Sequence, residues 1–364
     1  MAETTAAERV IQWEDTFFSE YVRANRFKRY MGTDENSIIQ LKENLTKTQG
    51  DAITINLVGA LDASAGPNTG TGPLVGFEKA LPNDGHKITI GVVRDAVTVN
   101  GLEEQASPIQ IRNAGKVALK DLSMRYLRNG IIDALHTING VAYAAANAAA
   151  RNAWLVDNAD RVLFGASKAN NAANVHADSL TLLNNTDDKL TGDVISLAKR
   201  MAQTASTANG DGIRPFTYGE DQETFVMFVP AFAYRDLRNW MVANGKWDTA
   251  LERSKDNPLY SGPTSIEWDG VIVREIPEMP ILADVGAGGT VDVAPCFLCG
   301  AQALGIAWAQ RTKTTTKKED DYGFSQGVGF MEMRGINKIQ WGQGSADAID
   351  WGVLTCYVAA EPDA

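Results

Sequence analysis

Two alternating apolar runs, separated by a long connection rich in glycine and proline, constrain the fold of this chain more than any other feature. In the first run Ile53, Ile55 and Leu57 alternate with polar residues, and in the second Ile88 and Ile90 do the same. Alternation with a period of two predicts half-buried β-strands. Residues 64–73, between the runs, contain too much Gly and Pro for a helix or a ladder. The pattern therefore predicts an extended, projecting hairpin.

The N-terminal segment, up to about residue 50, carries two short apolar patches. The first contains Trp13, Phe17, Phe18 and Tyr21, and the second lies around Ile38. Neither patch can close a core by itself, and an isolated two-stranded ribbon is marginal in water. We therefore expect the segment and the hairpin to pack on another lobe or on another subunit. The interface candidates are Trp13, Phe17, Phe18, Tyr21, Ile53, Ile55, Leu57, Pro67, Pro73, Leu74, Phe77, Ile88 and Ile90.

The strongest helical signal extends from about residue 114 to about residue 163, where apolar residues recur every three or four positions. Its alanine-rich part, residues 143–150, has high helix propensity. A continuous helix of roughly 40 residues would be a rod of about 60 Å, with kinks expected at Gly130 and Gly140. We expect such a rod to form the backbone of a flat molecule.

After an Asn-rich connection, strands and helices alternate through the second half of the chain. Helices are predicted near residues 194–205 and 232–241, and strands near 225–229, 271–273, 297–298, 327–334 and 353–358. This mixture predicts an α+β fold whose lobe boundary lies near the end of the long helix.

The charge balance is acidic, with 45 Asp and Glu residues against 34 Lys and Arg residues and a net charge of -11. Such a chain repels phosphate backbones on average, so any contact with nucleic acid should be local or weak. The N-terminus lacks the pattern of a secretory leader, and no stretch is apolar enough to span a bilayer. Together with only three cysteines, this predicts a reducing, cytoplasmic setting and no membrane partner.

Candidate catalytic residues are scarce. His86, His136 and His176 are the only histidines and show no metal-ligand spacing, so we expect each to have a surface or packing role. Cys296 and Cys299 have the spacing of half a zinc site, but a second pair is missing and the surrounding run is apolar. We expect them to be core thiols. The sequence thus predicts no catalytic, cofactor-binding or metal-binding residue, no cofactor and no enzymatic activity.

Three further motifs have a plainer interpretation than a functional one. Residues 70–76 look like a phosphate-binding loop, but Pro73 breaks the spacing, so a loop tip is expected there and a turn at 286–289. The basic run at 313–318 is followed by acidic residues and is expected to be a solvated loop. Adjacent carboxylates such as Asp187 and Asp188 rarely converge on one atom, so no acid/base role is expected for them.

Five groups of short motifs follow one another along nearly the whole chain. They are residues 36–40 with Leu45 and 50–54, residues 74–81, residues 257–262 with 268–272, residues 298–304, and residues 350–354. In this order, and with the segments described above, they resemble the major capsid proteins of tailed bacteriophages, and more narrowly the branch related to N4-like podophages. None of the motifs has catalytic meaning.

The resemblance implies an α+β, HK97-like capsid fold with four parts. They are an N-terminal arm at 1–50, an extended β-hairpin loop (E-loop) at 51–113, a spine helix with part of the peripheral (P) domain at 114–193, and an axial (A) domain with returning peripheral strands at 194–364. Such a protein self-assembles into hexamers and pentamers of an icosahedral head around double-stranded DNA, in a virion built in the bacterial cytoplasm.

The partners implied by the resemblance are further copies of the chain, a separate scaffolding protein, a portal, a decoration protein and, without sequence specificity, the packaged DNA. The alternatives are the shell protein of an encapsulin-like nanocompartment and an α+β hydrolase.

Overall fold

The computed structural model describes residues 23, 25–43, 50–64, 66–69, 71–107, 110–205, 210, 212–218, 222–246, 265–320, 325–345 and 347–363. Trp13, Phe17, Phe18, Tyr21 and the motif at 257–262 lie outside these residues. The described chain forms two compact units. Unit 1 contains residues 23 and 25, Gly91–Arg128 and Ala309–Arg334, and unit 2 contains Arg26–Ile90, Asn129–Trp308 and residues 335–363.

The described residues contain six α-helices and sixteen β-strands. The helices are α1 (Gly101–Ala106), α2 (Ile111–Leu135), α3 (Ala148–Asp157), α4 (His176–Thr181), α5 (Gly192–Thr204) and α6 (Ala231–Ala243). The strands are β1 (Met31–Gly32), β2 (Ile39–Lys42), β3 (Ala52–Val58), β4 (Asn83–Thr89), β5 (Gly91–Asn100), β6 (Val162–Phe164), β7 (Phe216–Tyr218), β8 (Gln222–Val229), β9 (Ser265–Trp268), β10 (Val271–Glu275), β11 (Val293–Cys299), β12 (Leu304–Asp320), β13 (Ser325–Lys338), β14 (Gln340–Trp341), β15 (Ile349–Asp350) and β16 (Val353–Ala359).

A mixed sheet in the order β6-β16-β11-β8-β10-β9 forms the centre of unit 2, with β7 paired to β8. Strand β11 is antiparallel to β16 and β8, whereas β10 is parallel to β8. These strands are nearly continuous apolar runs because both faces are covered. Met201 and Leu237 of α5 and α6 belong to one core, and Trp154 and Tyr357 belong to another. The helices and strands predicted for this half of the chain are confirmed.

Helix α2 ends at Leu135, so the prediction of one continuous helix to about residue 163 is wrong. The chain turns at Asn139 and Gly140, whose φ angles are 47° and 80°. Ile138 and Val141 form an antiparallel bridge across this turn. Asn-Gly favours such a turn because both of its central residues need positive φ. The alanine-rich segment after it continues into a separate helix, α3.

In unit 1, helix α2 packs on a sheet that contains β5, β12 and β13. Leu119 and Leu122 of the helix share an apolar cluster with Val328 and Phe330 of the sheet. Glu332 is fully buried on the same side of β13. The hydroxyl group of Ser123, in α2, donates a hydrogen bond of 3.2 Å to the Glu332 carboxylate. These contacts determine which face of α2 is covered.

The basic run at 313–318 belongs to strand β12, so the expectation of a loop there is wrong. Its side chains up to Lys317 are exposed, which agrees with a solvated segment. Threonines adjoin the basic residues in this run, and β-branched residues favour a strand over a loop. Strand β12 completes its hydrogen bonding with β13 and, near its start, with β2.

Residues 26–42 are part of unit 2 and not a free arm. Phe27 and Tyr30 pack edge-on against Phe228, with ring centroids 4.9 and 5.2 Å apart. Strand β2 then pairs in parallel with the start of β12, and Ile38 and Ile39 are buried. The apolar patch around Ile38 therefore packs on its own chain, which was one of the two alternatives for it.

Candidate assembly surface

The predicted hairpin is present in unit 2. Strands β3 and β4 are antiparallel, with Ile53 opposite Ile88 and Ile55 opposite His86. Residues 59–82 connect the two strands, and we refer to them as the tip. The alternating apolar residues therefore identified both strands correctly, and the glycines and prolines between them fall in the tip as expected.

The chain itself covers the base of the hairpin. Five interface candidates lie there: Ile53, Ile55, Leu57, Ile88 and Ile90. Ile88 is 0% exposed and packs with Ile53 and with Ala307 of β12. Ile55 and Ile90 are half-buried against the same cluster. These residues hold the hairpin on unit 2, so they do not offer a free surface to a neighbour. Alternation identifies the apolar side of a strand but not what covers it.

The tip exposes large apolar side chains. Val75 is 82% exposed, Phe77 66% and Leu74 64%, and Pro67 and Pro73 are exposed as well. Six of the fourteen large apolar side chains exposed among the described residues lie between residues 58 and 81. Scattered exposed apolar residues are normal, but a concentration of them marks a surface that binds a partner. The four remaining described interface candidates are all in this segment.

Local hydrogen bonds shape the tip without giving it a core. The Gly59 N–H donates to the Pro82 carbonyl oxygen (2.9 Å), which closes the neck. Lys79 Nζ donates to the Asp62 carbonyl oxygen (2.5 Å), which joins the two sides. The Asp62 carboxylate accepts a hydrogen bond from the Ser64 N–H (2.8 Å), and hydrogen bonds from the Ser64 side chain and backbone lower the pKa of Asp62. These hydrogen bonds fix the backbone of the tip, while its large apolar side chains remain exposed.

The histidines have packing roles, as expected. His136 stacks on Tyr143 with ring centroids 4.0 Å apart, and His176 meets Tyr357 edge-on at 5.2 Å. Burial lowers the pKa of His136 to about 3 and that of His176 to about 4. His86 is a buried residue of hairpin strand β4, where its Nδ1 accepts a hydrogen bond of 3.2 Å from the Gln340 N–H and burial lowers its pKa. All three imidazoles are therefore neutral at physiological pH.

The cysteines and the second glycine motif also follow the plainer interpretation. Cys296 and Cys299 are fully buried in β11, and Cys356 lies directly opposite Cys296 on β16. Burial raises the pKa of Cys356 to about 12, so the thiol is unreactive. Residues 286–289 form a turn in which Gly288 and Gly289 have φ angles of 68° and 66°.

A buried polar network in unit 2 was not predicted from the sequence. Lys338 and Asp350 form an ion pair of 2.7 Å. Asp350 also accepts hydrogen bonds from Trp154 Nε1 (3.2 Å) and Gln340 Nε2 (2.9 Å), and Lys338 Nζ also donates to the Thr137 carbonyl oxygen (2.8 Å). Asp350 lies in one of the resemblance motifs, which was the only signal for it. The network satisfies both charges internally and leaves no open site.

Asp188 has a structural role in the Asn-rich connection. Its carboxylate is buried and accepts hydrogen bonds of 3.0 Å from the Ala166 N–H, the Asn184 N–H and Asn170 Nδ2. Gly165 has a φ of 59°, and a Cβ there would lie 2.1 Å from Asp188 Oδ1. The carboxylate therefore fixes a loop and does not face Asp187 as a catalytic pair.

The cavity next to the hairpin does not bring together the ionisable groups of a catalytic site. It has a volume of about 360 Å³ and is lined by Glu35, Arg214, Gln302 and Trp351, among others. Its two ionisable groups, Glu35 and Arg214, pair with each other at 3.4 Å on the surface. No cluster of three or more potential metal ligands occurs in this part of the chain. Likewise, no described helix is long and apolar enough to cross a membrane.

A model of the phage capsid protein family matches residues 3–361. The chain belongs to this family. This capsid protein is 26% identical over 382 aligned residues to the major capsid protein of Pseudomonas phage KPP25, and the match covers 96% of the chain and 94% of that relative. Its predicted role as a structural protein of a phage head shell agrees with this relative, and neither the nanocompartment nor the hydrolase is favoured.

Solved structures support the fold of this capsid protein. The capsid of cyanophage Pam1 matches with a TM-score of 0.85 and 29% identity, covering 99% of each chain. The capsid of Ralstonia phage GP4 matches with a TM-score of 0.78 and 20% identity over the full length of both chains. The predicted α+β, HK97-like capsid fold is therefore confirmed.

Proposed function

We propose that this chain is the subunit of a self-assembling icosahedral phage head, in which hexamers and pentamers enclose double-stranded DNA. The observation that carries the proposal is the apolar tip of the hairpin. Leu74, Val75 and Phe77 are exposed in the described part of the chain, and the chain belongs to a family of capsid proteins. A second copy of the chain is the partner that such a surface requires in a closed symmetric assembly.

Burial of the tip supplies the energy for this contact. Covering one large apolar side chain contributes about 1.5–3 kcal/mol. Leu74, Val75 and Phe77 together therefore contribute several kcal/mol at each contact, before the cost of association is subtracted. Pro67 and Pro73 reduce the freedom of the tip before binding, because each proline fixes its own φ angle.

The remaining parts of the proposal extend the resemblance to capsid proteins. We infer that Trp13, Phe17, Phe18 and Tyr21 form an arm that contacts a further copy, and that an E-loop, a P domain and an A domain follow it in this chain. The chain acts without catalysis or cofactor in a virion assembled in the bacterial cytoplasm. Its other partners are a separate scaffolding protein, a portal, a decoration protein and the packaged DNA.

The test compares three forms of the full chain by size-exclusion chromatography and electron microscopy. The tip variant replaces Leu74, Val75 and Phe77 by Ser. The control variant replaces three exposed apolar residues elsewhere in unit 2 by Ser. These are Val156, Leu182 and Val242.

We expect wild type and the control variant to form rings or larger assemblies, and the tip variant to remain a folded monomer with the circular dichroism spectrum of wild type. Assembly of the tip variant at wild-type level would contradict the role of the tip. A wild-type chain that stays monomeric at every concentration would contradict the proposed function. Uniform closed shells formed by this chain alone would contradict the need for a scaffolding protein.

A further inference from the structure

Helix α2 has a charge opposite to that of the chain. The chain carries a net charge of -11, but α2 contains five basic residues and only two acidic ones. The basic residues are Arg112, Lys116, Lys120, Arg125 and Arg128, and the acidic ones are Asp121 and Asp133. An acidic protein that concentrates positive charge on one rod presents a local attraction for anions, although its average field repels them.

The positive charge lies on the uncovered side of α2. Leu119 and Leu122 face the sheet of unit 1, so this side of the helix is occupied. Lys116 and Lys120 are exposed and Arg125 is half-exposed, and none of the three forms an ion pair with a described residue. With 3.6 residues per turn, Lys116 and Lys120 are neighbours one turn apart, whereas Arg125 lies about half a turn around the helix from Lys116, on the other flank of the uncovered side. The helix therefore offers several basic side chains along its uncovered length.

We infer that the uncovered face of α2 binds the phosphate backbone of duplex DNA. The inference rests on the proposed function, because a shell that encloses DNA presents a polyanion to its subunits. It deepens that function by assigning the contact to Lys116, Lys120 and Arg125. Such contacts to phosphate are independent of sequence and come mainly from Lys and Arg.

The composition of this face favours DNA over an acidic protein. The core of a protein–protein interface is depleted in charge and enriched in large apolar and aromatic residues. Val117, 41% exposed, is the only strongly apolar side chain of α2 that is exposed away from the covered face. The segments between the basic residues are short and include Ala114 and Ala118. Small neighbours let a bulky, regular polyanion approach the basic side chains closely.

The expected affinity is weak and strongly dependent on salt. Each neutralised phosphate of duplex DNA changes the slope of log K against log salt by about -0.9, so three contacts give a slope of about -2.7. A rise from about 50 to 200 mM salt should then weaken binding by roughly 40-fold. Binding of this strength retains DNA locally without condensing it.

The test measures fluorescence anisotropy of a labelled duplex of about 30 base pairs, titrated with the full chain at several salt concentrations. The first variant is K116Q/K120Q/R125Q, which keeps helix propensity because Gln, Lys and Arg are similar helix formers. The matched control is K168Q/R200Q/K246Q, which removes three exposed positive charges from unit 2. Circular dichroism and the assembly assay above accompany each variant.

We expect the α2 variant to assemble like wild type, to bind the duplex at least tenfold more weakly and to lose most of the salt slope, while the control variant binds like wild type. If the control variant loses as much binding as the α2 variant, or if neither variant loses any, the assignment to α2 is wrong even if the wild-type chain assembles. Displacement of the duplex by poly-glutamate at an equal concentration of negative charges would identify an acidic protein as the partner and overturn the assignment to DNA. Failure of wild type to assemble would count against the proposed function and is recorded separately.

Discussion

Lys338 Nζ lies 2.7 Å from Asp350 Oδ2 in the interior of unit 2, and each side chain is 1% exposed. Removing one partner of a buried pair leaves an uncompensated charge, which typically costs 3–5 kcal/mol. We therefore expect Lys338→Met to lower the free energy of unfolding by about 3–5 kcal/mol. The substitution is introduced into the tip variant, which is expected to remain monomeric, and its effect is measured by urea unfolding. Assembly then contributes nothing to the measured stability.

The matched control for this prediction is the exposed pair of Arg214 and Glu35, at 3.4 Å. Exposed pairs contribute about 0–1 kcal/mol, so Arg214→Met should change the free energy of unfolding by less than about 1 kcal/mol. Equal effects of the two substitutions would mean that Lys338 and Asp350 are not buried as a pair.

Acid should destabilise the unassembled protein through its buried histidines. Burial lowers the pKa of His136 to about 3 and that of His176 to about 4, from an ordinary value of 6.5. Below pH 6.5 the unfolded chain therefore binds more protons than the folded chain. The stability that these groups contribute is complete above pH 6.5 and is lost as the pH falls, by about 1.4 kcal/mol per pH unit for each group.

Replacement of His176 by Phe should remove the part of this slope that belongs to His176. We expect the free energy of unfolding of the variant to fall less steeply than that of wild type between pH 6 and pH 4, by about 1.4 kcal/mol per unit. Burial raises the pKa of Asp236, which acts in the opposite direction, so the comparison with wild type isolates the histidine. Urea unfolding at each pH provides the slopes, and parallel slopes would contradict the prediction.

The contact between the hairpin and unit 2 requires a glycine at residue 335. A Cβ on Gly335 would lie 2.2 Å from the Thr89 carbonyl oxygen and 2.9 Å from Ile88 Cγ2. Overpacking against backbone typically costs 1–3 kcal/mol, so Gly335→Ala should lower the free energy of unfolding by about that amount. At Gly72, in the tip, a Cβ would meet nothing within 4 Å. Gly72→Ala is therefore expected to leave the free energy of unfolding unchanged. An unchanged free energy of unfolding for Gly335→Ala would mean that β4 does not pack against residue 335.

The strands and helices of the second half could be predicted from the sequence, because a continuous apolar run such as that from Phe225 to Val229 is covered on both faces whatever its exact partners. The end of α2 was missed although Asn139 and Gly140 carried the signal. Alanine-rich residues on the C-terminal side have high helix propensity, but the turn at Asn139 and Gly140, both with positive φ, separates them from α2.

The assembly surface could be located only in part. Ile88 and Val75 belong to the same predicted hairpin, yet Ile88 is 0% exposed and Val75 is 82% exposed. The difference depends on Ala307, more than two hundred residues away in the chain. The pairing of Lys338 with Asp350 was missed for a similar reason, because a sequence pattern does not show which charges the fold removes from water.

The most direct test of the account measures whether position 75 becomes covered on assembly. Val75→Cys in the full chain is labelled with a maleimide before and after assembly, and Val242→Cys serves as the control because Val242 is also exposed. Cys296, Cys299 and Cys356 are fully buried and give little background. The account predicts rapid labelling of position 75 in the monomer and strong protection in the assembly, with position 242 equally reactive in both. Equal labelling of position 75 before and after assembly would contradict the claim that the tip binds another copy.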